Sequence, residues 1–346
     1  MKYELERTAS GDLVTDTLTV NGATVSNMPF GITYAIAHKN VLGLGYIIGK
    51  DPNFYKSVPQ ALTDSGQINS PAYSLWMDSP AGRTGRLLFG GINTAKYIGE
   101  LHTMPIPAVD GVHYLPTVLA TGIALQRYSS STMSTNYISD VQLRMVLGVG
   151  TYNTYLPDMV VDAIYKELGT YWDDWAQKGR LNCSKKQEGY IITLNLSGFE
   201  MHFPVRDLID NGNGETCHLS IRPCLGEAAV LGNDFMRLAY VVVDFANNEI
   251  SMARTNFSPG EDYILEIGNG SHPIPDTVSV VVTATAPIPT AFTNPPFTHF
   301  FTPASASTTT QSTSHSTTSN VGVRLPTSKS NSLMAGTVGA GIAFGL

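Results

Sequence analysis

The sequence predicts a mostly β fold, and three observations carry that prediction. Glycine and proline are abundant, 32 and 20 in 346 residues, so turns recur at short intervals. Between the turns lie short runs rich in Val, Thr, Ile and Tyr, whose branched or aromatic side chains suit a pleated surface. Several runs alternate apolar and polar side chains with the period of two that a half-buried strand requires. With 42% apolar and 14% charged residues, most of the chain builds a packed core.

Asp12 to Val20 alternates, and Asn21-Gly22 after it is a hairpin signal, because the favoured two-residue turn needs positive φ at both positions. Val41-Leu42-Gly43-Leu44-Gly45 reads as a buried strand ending in glycines, and residues 53–63 suit a helix. Tyr73 to Met77 and Arg86 to Phe89 predict a strand pair across the turn-rich residues 78–85. Val109 to Arg127 and Asn136 to Gly150 read as further strand. Pro157 and Asp158 open the clearest helix, since proline fits the first helical turn and a carboxylate complements the positive helix end. Val160, Val161, Ile164, Tyr165 and Leu168 fall on one face of it as a core stripe, and Gly169 ends the run. Residues 190–203 and 238–253 alternate as strands, and Trp172 to Trp175 form a surface turn after the helix. From about Pro273 the composition turns to Pro, Thr and Ala, and Ser305 to Ser319 is almost pure Ser and Thr, a solvated stalk.

A net charge of −7 without charged runs gives no support to nucleic-acid binding. The eight histidines show no metal-ligand spacing and no phosphate loop is present, so neither metal nor cofactor is expected. Cys183 and Cys217 flank a polar segment that one disulfide could close, leaving Cys224; pairing of Cys217 with Cys224 is the rival, and both stay open. Four sequons, Asn182, Asn195, Asn256 and Asn269, agree with an oxidising, glycosylating compartment. Leu333 to Leu346 is apolar but, at about fourteen residues, short of the roughly 20 a membrane-spanning helix needs. It fits a lipid-anchor signal, with Asn320, Val321 and Gly322 as the attachment triplet, Ser319 nearly as good, and residues 324–332 as spacer. Met1 to Arg7 has no apolar leader segment.

The most informative stretch is Met145-Val146-Leu147-Gly148-Val149-Gly150-Thr151-Tyr152-Asn153-Thr154-Tyr155-Leu156-Pro157. It resembles the active-site loop of pepsin-family aspartic proteases, where a hydrophobic strand runs into Asp-Ser/Thr-Gly, then Thr, and Tyr-Leu-Pro opens a helix. Four further segments match: Val41 to Tyr46 and Ala229 to Gly232 resemble the hydrophobic-hydrophobic-Gly segments of the two lobes. Gly85 to Asn93 with Tyr97 to Leu101 is similar to the Gly-x-Leu-x-Phe-Gly-Gly hairpin, and Phe235 to Ile250 to the last major hairpin. The resemblance spans roughly residues 3–257.

The resemblance implies a bilobal, pepsin-like acid protease fold with the N-terminal lobe incomplete. Residues 1–105 would be that partial lobe, 106–273 the C-terminal lobe, 274–319 the stalk and 320–346 an anchor signal for glycosylphosphatidylinositol (GPI). The stalk, the tail and the run Ser70-Pro71-Ala72-Tyr73-Ser74-Leu75-Trp76 point to the GPI-anchored, yapsin-like fungal branch. Its implied activity is endopeptidase cleavage of peptide or protein substrates in the interlobe cleft, at the extracellular face of the cell membrane or wall. Such enzymes hold one water between two carboxylates that share a proton.

In this chain Gly148 and Val149 replace the Asp and Ser/Thr of the second loop, with Thr151 neighbouring. Tyr3 stands eight residues before Gly11 like the flap tyrosine, which puts the first Asp-Thr-Gly upstream of residue 1. Asp64-Ser65-Gly66 is discounted because it follows a helical segment and lacks the Tyr-Leu-Pro continuation. The expectation is a catalytically inactive, degenerate homologue. Its alternatives are the truncated gene model of an active endopeptidase and a non-enzymatic, peptide-binding cell-wall protein.

Overall fold

A computed structural model describes residues 2–3, 7–8, 10–35, 41–46, 56–80, 84–128, 133–139, 142–226, 228–271, 273–280 and 343–345. Contacts group residues 1–294 with 340–346, and residues 295–339 apart from them; the second group, with Asn320 and the Ser/Thr stalk, lies outside the described residues. The expected mostly β fold is what forms.

The central layer is a six-stranded sheet in the order Thr277–Ser279, Tyr97–Pro105, Glu249–Thr255, Ala239–Asp244, Ala72–Met77, Gly85–Phe89. Alternation sends its side chains to two cores. Tyr73, Leu75, Val241 and Val243 join the main core, while Ala72, Trp76, Tyr240 and Val242 join a smaller one on the opposite face. Buried Tyr240 takes its place in the smaller core without a stranded hydroxyl, because its oxygen accepts the Asn93 amide at 2.7 Å. The pairing of 72–77 with 85–89 is the one read from the sequence.

The second half of the chain supplies three sheets. A five-stranded sheet runs Thr117–Ala120, Leu143–Leu147, Ala229–Leu231, Thr154–Leu156, Ile221–Pro223. A four-stranded antiparallel sheet runs Met133–Ser139, Gly122–Tyr128, Tyr190–Leu196, Phe199–Pro204. Another four-stranded sheet contains Tyr171–Asp173, Lys178–Asn182, Thr216–Leu219 and Ile209–Asp210. The helix Asp158–Leu168 packs its Val160, Val161, Ile164 and Leu168 stripe into the main core. Gly169 ends it with φ 63°, a left-handed cap that a Cβ disfavours.

In the first part, Ser10–Val20 and Ala23–Ala35 form a long hairpin turning at Asn21 and Gly22, at φ 47° and 88°. Lys2–Tyr3 pairs with Arg7–Thr8, placing Tyr3 opposite Arg7. Val41–Gly43 pairs in parallel with Ala343–Gly345, so the end of the chain supplies its strand neighbour.

Two expectations are corrected in extent. The helix read over residues 53–63 is Val58–Asp64, because Ser57 caps it, accepting the Gln60 amide, and Pro59 occupies its first turn; residues 53–55 lie outside the described residues. The strand read from Val109 begins only at Thr117. Asp110 and Gly111, at φ 51° and 77°, fold the chain into a tight turn closed by the Val109–Val112 bridge. A strand, Thr277–Ser279, also lies past Pro273.

Candidate functional site

The resembling loop connects two interior strands of the five-stranded sheet, Leu143–Leu147 and Thr154–Leu156, which flank Ala229–Leu231. Leu143–Leu147, nearly all buried, runs parallel to Ala229–Leu231 with Val146 opposite Val230 and Leu147 opposite Leu231. At its end the Gly148 amide donates to Leu231 O at 2.9 Å, and the Thr151 amide closes a turn onto Gly148 O at 2.9 Å. Gly148 is buried, Val149 packs partly against the main core and Gly150 is exposed. The chain then re-enters the sheet as Thr154–Leu156, reaching both Val230 and Ile221.

Two glycines make this crossing tight for different reasons. A Cβ on Gly148 would lie 2.3 Å from Val230 Cγ1 and 3.3 Å from Leu231 O. One on Gly232 would lie 2.2 Å from the backbone oxygen of Asn153, so only glycine lets the two backbones approach.

The carboxyl that holds this loop is Asp234, which sequence reasoning missed. It opens the short helix Asn233–Met236 and is fully buried. Thr154 Oγ1 donates to Asp234 Oδ1 at 2.6 Å, the Thr154 amide to Oδ2 at 3.3 Å, and the Phe235 amide to Oδ1 at 2.8 Å. Thr154 Oγ1 in turn accepts the Gly232 amide at 2.9 Å, so one hydroxyl links both sides of the crossing. Burial pushes the Asp234 pKa up to about 6, outweighing hydrogen bonds from Ser220 and Thr154 and the Arg237 guanidinium, which pull it down. The available signal was an Asp inside the apolar run from Ala229 to Met236, where an ionisable group needs internal partners. Half-exposed Tyr152 donates to Asp210 Oδ1 at 2.6 Å, and its pKa is pushed up to about 12 by burial and by that carboxylate.

Other sequence-derived positions are dispersed. Asp64 ends its helix, pairing with Lys56 at 2.6 Å and accepting from Gln60 at 2.8 Å; these bonds lower its pKa and give it a surface role. Cys183 and Cys217 form the disulfide, which excludes the Cys217–Cys224 pairing, and Cys224 is buried. Among the sequons, Asn182 and Asn269 are exposed, whereas Asn195 and Asn256 are half-buried and Asn256 Nδ2 donates to Ala95 O at 3.0 Å. No group of three or more His, Cys, Asp or Glu among the described residues could hold a metal ion.

A strand running into a glycine turn under a parallel partner, then Tyr-Leu-Pro and a helix, within stacked β-sheets, is the architecture of pepsin-like aspartic proteases. A crystal structure of an aspartic proteinase from Irpex lacteus shares the fold at a TM-score of 0.60 with 18% identity, over 72% of this chain and 83% of that one. The eukaryotic aspartyl protease family model matches residues 1–255, and the chain belongs to that family. It is 39% identical over 290 residues to the probable aspartic-type endopeptidase opsB of Aspergillus oryzae, covering 79% of this chain and 58% of the relative. It is 29% identical to aspartic proteinase yapsin-3 of Saccharomyces cerevisiae, over 68% of this chain and 50% of that one. The chain thus spans about three-fifths or less of the length of these relatives.

Proposed function

We propose that this chain is a catalytically silent homologue of aspartic-type endopeptidases that keeps the family's scaffold for engaging extended peptides. The observation that carries the reading is at Gly148. The loop that would present a carboxylate to a water presents a hydrogen atom, and Val230 fills the space beside it. Val149 likewise lacks the hydroxyl that would support such a carboxylate. Asp234 cannot substitute, because both its oxygens are turned to Thr154 and Phe235 inside the fold.

The test is proteolysis of a denatured protein substrate at acid pH, with a pepstatin-type inhibitor control. The wild-type chain is expected to be inactive. A hybrid carrying the upstream segment of the Aspergillus oryzae relative together with Gly148→Asp, Val149→Ser and Val230→Ala is expected to gain inhibitor-sensitive activity. Inhibitor-sensitive cleavage by the wild-type chain overturns the reading. Equilibrium dialysis against a labelled pepstatin-type peptide, without turnover, tests the retained binding.

The same proposal places the protein at the cell surface through a GPI anchor at Asn320. The Ser/Thr run before that residue and the apolar tail after it support the placement. The name of a 28% identical relative, secreted aspartic protease 8 of Candida albicans, agrees with export of that protein. Attachment there removes residues 321–346, including Ala343–Gly345, and leaves Val41–Gly43 without that neighbour. Release from membranes by phosphatidylinositol-specific phospholipase C, abolished in an Asn320→Gln/Ser319→Gln double variant, is the expected result. Of the four sequons, Asn182 and Asn269 offer the more exposed side chains for glycosylation.

A further inference from the structure

The sheet that follows the long helix has one dry face and one wet face. Gly179, Leu181, Cys217, Leu219 and Ile209 are buried and alternate with side chains that reach solvent. On the wet face the register sets four residues in a row: Tyr171 opposite Arg180, Arg180 opposite His218, and His218 opposite Asp210. With strands about 4.8 Å apart, the row is about 14 Å long. The Arg180 guanidinium lies 5.8 Å from the centre of the Tyr171 ring and 2.9 Å from the Asp173 carboxylate. At the far end Asp210 holds the hydroxyl of Tyr152, which extends the row to a second exposed ring.

To one side of the row, past the Asp173–Lys178 pair, the hairpin turn carries Trp175, 95% exposed. The turn is locked. Asp173 Oδ1 accepts the amides of Trp175 and Ala176 at 3.0 Å each, Gln177 Nε2 donates to Asp174 O at 2.6 Å, and Gln177 holds φ at 51°. A polar wet face is ordinary for an antiparallel sheet, and Arg180, His218 and Asp210 alone would be no more than that. A tyrosine ring at each end, and an indole held out in solvent on the adjoining turn by a fixed backbone, go beyond it.

The arrangement selects its occupant. Protein–protein interfaces put aromatic and apolar anchors at the centre and charges at the rim. Here the order is reversed, with charge in the middle and rings at the ends. On the strands Lys178 and Arg180 balance Asp173 and Asp210, and Asp174 in the turn adds a negative charge, so no positive field favours a polyanion. What remains complementary is a neutral chain with hydroxyls for the central donors and acceptors and flat C–H faces for the rings.

We propose that the row from Tyr171 through Arg180, His218 and Asp210 to Tyr152, with Trp175 on the adjoining turn, is a binding surface for a neutral polysaccharide. Sugar rings stack on Trp175 and Tyr171, and the polar centre hydrogen-bonds their hydroxyls. The proposal is independent of whether the chain cleaves peptides.

The experiment is co-sedimentation of the full chain with insoluble β-1,3-glucan, chitin and cellulose, followed by titration with the matching soluble hexasaccharide read by tryptophan fluorescence. Retention on at least one glycan is expected. Trp175→Ala and Tyr171→Ala should each weaken binding tenfold or more, Tyr171→Phe should keep it, and Trp175→Ala should leave the melting temperature unchanged. Failure of the folded protein to bind all three glycans overturns the proposal, as does binding that survives the Trp175→Ala/Tyr171→Ala double change. Self-association of the chain that Trp175→Ala abolishes, without glycan binding, would identify a protein interface and equally overturn it.

Discussion

Val230 occupies the space that any side chain at Gly148 would require. Its Cγ1 stands 2.3 Å from the position of a Cβ there, well inside contact distance, while the backbones stay joined through the Gly148 amide and Leu231 O. Val230, two residues from the other glycine of the crossing, packs against Gly148 so closely that substitutions at positions 148 and 230 should be coupled.

Gly148→Ala is expected to destabilise the fold by about 1–3 kcal/mol through overpacking. In the Val230→Ala background the same change should cost less by at least about 0.5 kcal/mol, the mark of coupled neighbours. Urea unfolding of the two single variants and the double variant measures this. Additive effects would show that Val230 turns away freely and that the contact is inconsequential.

Gly232→Ala should be the more damaging change. The atom its Cβ would strike at 2.2 Å is the Asn153 carbonyl oxygen, part of the backbone, whereas Val230 can change rotamer. A loss above about 3 kcal/mol, or failure to fold, is expected. A soluble Gly232→Ala protein as stable as Gly148→Ala would refute the distinction.

Asp234 makes stability depend on pH. Its folded-state pKa, about 6, lies above the ordinary 3.8 because burial disfavours the anion. Between those values the folded state binds more protons than the unfolded state, so unfolding free energy falls as pH rises. The stabilisation is complete below about 4 and lost above about 6, an amount of at most roughly 3 kcal/mol at 1.36 kcal/mol per unit. Thermal melts from pH 4 to pH 7 should show this decline, and Asp234→Asn should flatten it. An unchanged slope in that variant would assign the decline to other groups.

Much of this was legible in the chain. Val146 and Leu147 before Gly148, and Pro157 with Asp158 after the loop, specify strand, turn and helix by local rules, and Asn21-Gly22 and Gly169 mark turns by the φ they tolerate. The site's energetics were less legible because they arise through space. Asp234 meets Thr154 eighty residues away, and Val230 reaches Gly148 only once a parallel pairing has been chosen. The row from Tyr171 to Asp210 depends on the registers of three strand pairs, and no periodicity within one strand encodes these. The strand expected from Val109 failed because Asp110-Gly111 turn chemistry outweighed the β propensity of the valines around it.

The Cys183–Cys217 disulfide tests whether the sheet bearing Trp175 is held from outside its own core. The bridge joins residues 34 apart, and Cys217 lies opposite Leu181 in the pairing of two of the sheet's strands. Closing a loop of that length restricts the unfolded chain by about 3–4 kcal/mol in the chain-entropy account. The Cys183→Ser/Cys217→Ser double variant should lose about that much in urea unfolding, and reductant should lower the wild-type protein to a similar level. Cys224→Ala should keep the full reductant-sensitive drop, since Cys224 takes no part in the bridge. If the drop vanished with Cys224→Ala, the Cys217–Cys224 pairing would operate in solution and the register of the 178–182 and 216–219 strands would need revision.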